Sequence, residues 1–175
     1  MPKLTSVKVS LSLPYLGGIQ GTWEPDETEQ SAAWEMYVEL ITRISVVELY
    51  PDEGSLREAL SSLYSLFNTT RNLLREKGPS IARPKGKSQI SFAYLAVAIL
   101  NSVLRPTLAK WHPLLLHYES TKPISVSSME HEQRWKDGAQ LRQELNEVRN
   151  ILIKYANLLA EVAKVPSLMF EVDEE

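Results

Sequence analysis

The chain has 175 residues, no cysteine and only three histidines. Without cysteine it cannot form a disulfide or use a thiolate, and three scattered histidines do not have the spacing of a structural zinc site. The absence of cysteine is compatible with a reducing compartment. The first residues lack the apolar core of a signal peptide, and no lipidation motif follows. We therefore predict a cytoplasmic protein without a metal.

Common catalytic and cofactor motifs are also missing. No Gly-x-Ser-x-Gly or Glu-x-x-His sequence occurs, so neither a hydrolase elbow nor a di-metal bundle is predicted. His131-Glu132 does not extend to a zinc-protease motif, because Trp135 occupies the closing position. Gly86-Lys87-Ser88 lacks the earlier glycine of a phosphate-binding loop, since Ile81 stands there. The sequence predicts no cofactor.

The chain contains no apolar run long enough to cross a membrane. Its longest, residues 90–100, is apolar nearly all round a helix but ends at Asn101, well short of the roughly 20 residues that a span requires. A helix with no polar face must be enclosed by others. With 43% hydrophobic and 23% charged residues, the composition is that of a single globular domain. We predict that this segment is the central helix of a soluble bundle.

Residues 4–13 alternate between apolar and polar side chains, which is typical of a half-buried β-strand. A second short strand is predicted at residues 19–23, after a Pro/Gly-rich turn. Because two strands alone are marginally stable, the hairpin must lie on the bundle or pair with another chain. The apolar side of the first strand is therefore a candidate interface, formed by Val7, Val9, Leu11 and Leu13.

Helical periodicity predicts four long helices after this arm. The first helix spans about residues 26–49, and Pro51 stops it. Its apolar side chains at helical spacing include Trp34, Ile44 and Val47. The second begins at a Ser55-x-x-Glu58 capping box. The third covers about residues 90–118 and is interrupted near Pro106 and again at Pro113. The fourth and longest begins at a second capping box, Ser127-x-x-Glu130.

The last predicted helix has a heptad pattern, typical of helices packed nearly parallel in a bundle. Its apolar positions are Leu141, Leu145, Val148, Leu152, Tyr155, Leu159 and Val162. The predicted fold is therefore mainly α and four-helix-bundle-like, with a short N-terminal β-strand or hairpin. We expect one domain, comprising an arm at residues 1–24, a bundle at 26–165 and a frayed acidic tail at 166–175.

Charge is divided unevenly along the chain. Residues 24–58 carry ten acidic and two basic side chains, whereas residues 71–122 carry nine basic and two acidic ones. These segments are either neighbours that neutralise each other or the two sides of a dipolar surface suited to assembly. The breaker-rich loop 78–88 is predicted to be mobile. Its cations Arg83, Lys85 and Lys87 form a candidate site for an anionic partner.

Arg105 and His112 are separated by six residues. This spacing resembles the Arg-x4–6-His signature of the HEPN-domain ribonucleases, and the resemblance covers these two residues. It implies a dimeric helical nuclease or toxin acting on RNA, in which the arginine binds the scissile phosphate and the histidine assists proton transfer. The alternative interpretation is structural, with both side chains bracing an interrupted helix.

The heptad-patterned helix, the strand edge and the divided charge all favour assembly. The sequence therefore predicts a cytosolic helical interaction or scaffold module, either self-associating or one subunit of a larger bacterial complex. We predict a protein partner or a second copy, no membrane, and no general nucleic-acid coat at this acidic pI. The alternative hypothesis is the HEPN-like nuclease that uses Arg105 and His112.

Overall fold

The computed structural model describes residues 6–43, 50 and 53–169. A two-stranded antiparallel hairpin, β1 (Val7–Leu13) and β2 (Gly17–Trp23), packs on a helical bundle. The helices are α1 (Glu27–Ile41), α2 (Leu56–Lys77), α3 (Phe92–Ile99), α4 (Arg105–Ser120), α5 (Ser128–Gln133) and α6 (Gly138–Val162). This arrangement confirms the predicted mainly α fold with an N-terminal hairpin.

The hairpin buries one face against the bundle. Its register pairs Val7 with Trp23 and Leu13 with Gly17, and β1 alternates strictly between buried and exposed side chains. The strand contacts α6, so the marginal two-stranded sheet is stabilised by the helical layer beneath it.

Helix α1 begins as its sequence indicates but ends earlier. Asp26 and Glu29 form a reciprocal capping box, in which each side chain accepts from the other's backbone N–H. The helix ends at Ile41 with Thr42 as its C-cap, not near residue 49. The later part of the predicted stripe, including Ile44 and Val47, and the predicted stop at Pro51 lie outside the described residues.

Helix α2 has a different N-terminal cap from the predicted box. Ser55 Oγ accepts from the Glu58 backbone N–H at 3.3 Å, as predicted. The Leu56 N–H, another of the donors without a partner inside the helix, donates to the Glu132 carboxylate at 3.1 Å. Glu132 lies 76 residues away. A long-range contact therefore supplements the local cap at Ser55.

The predicted interruption near Pro106 is a π-helical segment, Leu100–Leu104, between α3 and α4. The Arg105 N–H donates to the Leu100 carbonyl, five residues back. The next residue, Pro106, has no N–H to donate. The chain stays helical from Phe92 to Ser120, and Pro113 does not end α4. The interruption near Pro106 is therefore a change of helix type within one continuous helical stretch.

This 29-residue stretch, Phe92–Ser120, is long and apolar enough to cross a membrane by length and composition. The sequence pattern had suggested a shorter segment, because the run of apolar residues stops at Asn101. More than half of its most apolar part is buried inside the bundle, as in the core helix of a soluble protein. Its burial is compatible with a soluble fold.

The second capping box starts the short helix α5 rather than the longest helix. Ser127 and Glu130 bond reciprocally, and the chain then turns through residues 134–137 before α6 begins at Gly138. Along α6 all seven heptad positions are buried, so the heptad prediction is confirmed. The helix packs mainly on α1 and β1.

Several ion pairs join the two oppositely charged segments. Lys77 bonds to Glu35 at 2.6 Å, and Lys85 bonds to Asp26 at 2.9 Å. Arg57 is one of the two bases in the acidic segment, and Glu119 is one of the two acids in the basic segment. These two side chains also pair, through two hydrogen bonds from the guanidinium to the carboxylate. These contacts favour mutual neutralisation across the fold as the explanation for the divided charge.

Candidate interaction surface

A buried carboxylate fixes the start of α3. Glu29 is fully buried and accepts four hydrogen bonds, from the indole of Trp23, the backbone N–H groups of Asp26 and Phe92, and the ammonium of Lys85. Because a buried charge is tolerated only when it is well partnered, these four donors must stay together. Glu29 therefore ties β2, the basic loop and the first turn of α3 to α1.

The basic loop is held at several points. Lys85 donates to the Ser80 carbonyl at 2.8 Å as well as to its two carboxylates, and Ser88 Oγ donates to the Thr22 carbonyl at 2.5 Å. Gly86 has a φ of 97°, and a Cβ there would lie 2.6 Å from the Glu24 carboxylate. These contacts anchor a loop for which the sequence predicted mobility.

Only part of the predicted cation cluster is available to a partner. Burial alone would lower the pKa of Lys85, but the bonds to Asp26 and Glu29 outweigh it and raise the pKa, so this charge is neutralised within the fold. Arg83 and Lys87 are exposed, and within the described residues neither forms an ion pair. The cluster is therefore reduced to two free cations.

The central helix is not fully enclosed, contrary to the expectation from its all-round apolarity. Ser91 caps its start by accepting from the Tyr94 N–H at 3.1 Å. One turn further on, Tyr94 and Val97 remain 44% and 40% exposed, and Leu16 at the hairpin tip is 50% exposed. The described part of the chain therefore leaves an apolar strip of α3 in contact with water.

This strip forms the floor of a shallow groove of about 530 Å³, here called the α3 groove. Its lining carries no charged side chain and consists of Leu16, Ala82, Pro84, Gln89, Ser91, Ala93, Tyr94, Val97, Ala98, Asn101 and Ser102. Arg83 lies between the lining residues Ala82 and Pro84, and Lys87 lies two positions before Gln89, so both exposed cations belong to the loop that forms one border. Arg105 lies beyond the other end, where its Nε donates to Asn101 Oδ1 at 3.1 Å. The groove lining is therefore uncharged, and the chain segments that border it carry exposed cations.

The residues of the predicted hairpin interface lie inside the chain's own core. Val7, Val9, Leu11 and Leu13 are all buried in the chain's own core. Period-two alternation identifies a strand with one buried face but does not say whether that face packs on the same chain or on another. As a correction, these four side chains cannot face a partner while the hairpin lies on the bundle.

Arg105 and His112 lie two turns apart on α4 and contact different groups. The Arg105 guanidinium lies over the Phe67 ring, 5.1 Å from its centroid. His112 Nδ1 accepts from the Arg57 guanidinium at 2.8 Å, so the neutral ring carries its proton on Nε2. Burial, with a smaller effect of Arg57, lowers the pKa of His112. The structure thus gives each residue its own bracing contact with α2.

A cavity of about 620 Å³ lies between the start of α2, the end of α4 and α5. Its charged side chains are largely paired with one another, since Arg57 bonds to Glu119 and Arg142 to Glu132. Arg142 also donates to the carbonyls of Tyr50 and Glu53, beside residues that are not described. Among the described residues no cluster of His, Asp and Glu could hold a metal ion.

No family model, no curated protein and no solved structure matches the chain. Sequence reasoning missed the α3 groove, because an apolar helix carries no signal for which of its faces the rest of the chain leaves uncovered. The one available hint was the basic loop that precedes α3, with Arg83, Lys85 and Lys87. Any function must therefore be inferred from the surface of the chain itself.

Proposed function

We propose that the chain is a cytosolic protein-interaction module that self-associates through the α3 groove. The observation that carries this proposal is the uncovered strip of α3. Tyr94 and Val97 lie on the most hydrophobic of the described helices, and together with Leu16 of the hairpin tip they line one groove. Contiguous exposed apolar surface of this kind marks interaction sites more often than isolated exposed residues do.

The position of the groove also supports an interface. Its floor is rigid, because α3 is fixed at its start by Glu29 and Ser91. The groove offers an aromatic ring, a residue type enriched in interface cores, and its lining also includes the polar side chains of Gln89, Asn101 and Ser102. A preformed site with an apolar centre loses little conformational entropy on binding.

The test is the oligomeric state of groove variants, measured by sedimentation velocity over a range of protein concentrations. Val97→Glu places a charge on the groove floor, and Tyr94→Ala removes the ring without adding charge. We expect each change to weaken association at least about ten-fold, the effect of losing roughly 1.4 kcal/mol. The thermal unfolding midpoint should change little, since both side chains are substantially exposed.

Ile124→Glu is the matched control, because Ile124 is fully exposed in the connection after α4 and contributes nothing to the groove. It makes the same kind of change, from an aliphatic side chain to a carboxylate, at a different place. If Ile124→Glu weakens association as much as Val97→Glu, or if neither does, the α3 groove is not the interface.

A further inference from the structure

We infer that the α3 groove binds the C-terminal segment, residues 170–175, of a second copy of the chain. This inference rests on the proposed function and names the occupant of the same surface. The segment reads Phe-Glu-Val-Asp-Glu-Glu and lies outside the described residues. It combines two apolar side chains, Phe170 and Val172, with four carboxylates and no base.

The groove is complementary to this composition. Its floor is uncharged and apolar, which suits Phe170 and Val172. The loop that supplies Ala82, Pro84 and Gln89 to the lining also carries the exposed cations Arg83 and Lys87, which have no ion-pair partner among the described residues. Lys85, between them in sequence, is already neutralised by Asp26 and Glu29, so the two exposed cations are the ones left for an acidic ligand.

Alternation of apolar and acidic residues gives the segment the pattern of an extended peptide with two distinct faces. In that conformation Phe170 and Val172 point to one side and Glu171 and Asp173 to the other. Phe170 and Val172 would then contact the groove floor, while Glu171 and Asp173 face the mouth of the shallow groove, where the long side chains of Arg83 and Lys87 can reach them. A segment of this kind supplies both the apolar anchors and the charge that the groove lacks.

A second copy is favoured as the source because the described residues just before the segment pack away from the groove. The Leu168 N–H donates to the Tyr37 hydroxyl at 2.7 Å, and Met169 packs against the core. Tyr37 belongs to α1, and neither α1 nor α6 contributes a residue to the groove lining. Reciprocal exchange of the segment between two copies would occupy both grooves and close a symmetric dimer.

The experiment is a charge-swap complementation with two full-length variants. The rim variant carries Arg83→Glu and Lys87→Glu, and the segment variant carries Glu171→Lys and Asp173→Lys. Each variant alone has like charges on rim and segment, so we expect at least about a ten-fold loss of self-association. Mixed together, the acidic rim of one faces the basic segment of the other, and sedimentation should show recovery of the dimer.

The matched control replaces the rim variant with Lys136→Glu, a charge reversal at an exposed lysine between α5 and α6 that lies outside the groove lining. It should neither weaken self-association nor rescue the segment variant. Raising the salt concentration should weaken the wild-type dimer and the rescued pair alike. Recovery with Lys136→Glu would mean that general charge attraction, not the groove, drives the pairing, and would overturn the inference.

The outcomes separate this inference from the proposed function. If Val97→Glu abolishes the dimer but neither charge variant affects it, the α3 groove is an interface and the segment is not its ligand. If the charge variants stay monomeric when mixed, the segment of one copy does not bind the groove of the other, and the inference fails. If the wild-type complex dissociates on ribonuclease treatment, the cationic rim binds nucleic acid and the inference fails. If the wild-type chain is a monomer throughout, both proposals fail.

Discussion

The Glu29 carboxylate accepts a hydrogen bond from the Phe92 backbone N–H at 3.0 Å, although the two residues lie 63 positions apart. The N–H groups at a helix start have no partner within the helix, so they need an external acceptor. At α3 that acceptor comes from the capping box of α1. One carboxylate thus helps to start two helices and to fix the position of α3, which supplies the floor of the groove.

Glu29→Gln should destabilise the fold strongly. The amide keeps the size of the side chain but replaces one acceptor oxygen with a donor that faces the Lys85 ammonium and the Asp26 N–H. Breaking a buried charged contact in this way costs about 3 kcal/mol. The free energy of unfolding in urea measures the effect.

Glu27→Gln is the control, since Glu27 is an exposed carboxylate in the same turn and its replacement should cost at most about 1 kcal/mol. If both variants lose the same free energy of unfolding, the four hydrogen bonds to Glu29 do not contribute specially to stability.

Stability should fall as the pH is lowered through the range just below 6.5. Burial first, and Arg57 second, lower the pKa of His112 from its ordinary value of 6.5. Between the folded and unfolded pKa values the unfolded chain binds more protons, so acidification favours unfolding there. Urea unfolding at a series of pH values tests this.

His112→Gln should flatten that part of the pH profile. The change in slope is diagnostic, because a side chain that only fills space would alter stability equally at every pH. His117→Gln, at an exposed histidine on the same helix, should leave the slope unchanged. Asp26 and Glu144 have pKa values lowered from 3.8 and 4.5, so their contributions are lost only at more acidic pH. A slope that persists in His112→Gln would contradict the assignment.

Tyr155→Phe and Tyr37→Phe should change stability in opposite directions. Among the described residues the Tyr155 hydroxyl is buried without a hydrogen-bond partner, beside a void of about 10 Å³. Removing it should be neutral or stabilising by up to about 1 kcal/mol. The Tyr37 hydroxyl accepts from the Leu168 N–H, so its removal should cost about 1 kcal/mol. Destabilisation by Tyr155→Phe would indicate that an ordered water occupies the void.

Local patterns predicted the elements whose causes are local. The heptad of α6, the alternation of β1 and the capping box at Ser127 depend on neighbours within a few residues, and the structure contains all of them. The interruption before Pro106 was also predictable, because proline lacks a backbone donor wherever it occurs. Its form, a π-helical segment within a continuous helix, was not, since surrounding helices hold the chain in line.

The candidate site was much less predictable. Lys85 and its neighbours Arg83 and Lys87 look alike in sequence, but among the described residues only Lys85 forms ion pairs with carboxylates. Val7 and Tyr94 are both apolar residues on regular elements, yet one is buried and the other is 44% exposed. Which side chains remain available depends on how distant elements cover one another, and composition does not encode that.

The amino-acid sequence by itself determined the fold class, the order of the elements, the heptad face of α6 and the absence of cysteine chemistry. These follow from periodicity, capping and residue content, which act over a few neighbouring residues. The tertiary structure alone decided that Glu29 joins α1 to α3, that Glu132 caps α2, and that one face of α3 stays uncovered. Those features depend on contacts between residues far apart in the chain, and such contacts form only when the helices pack.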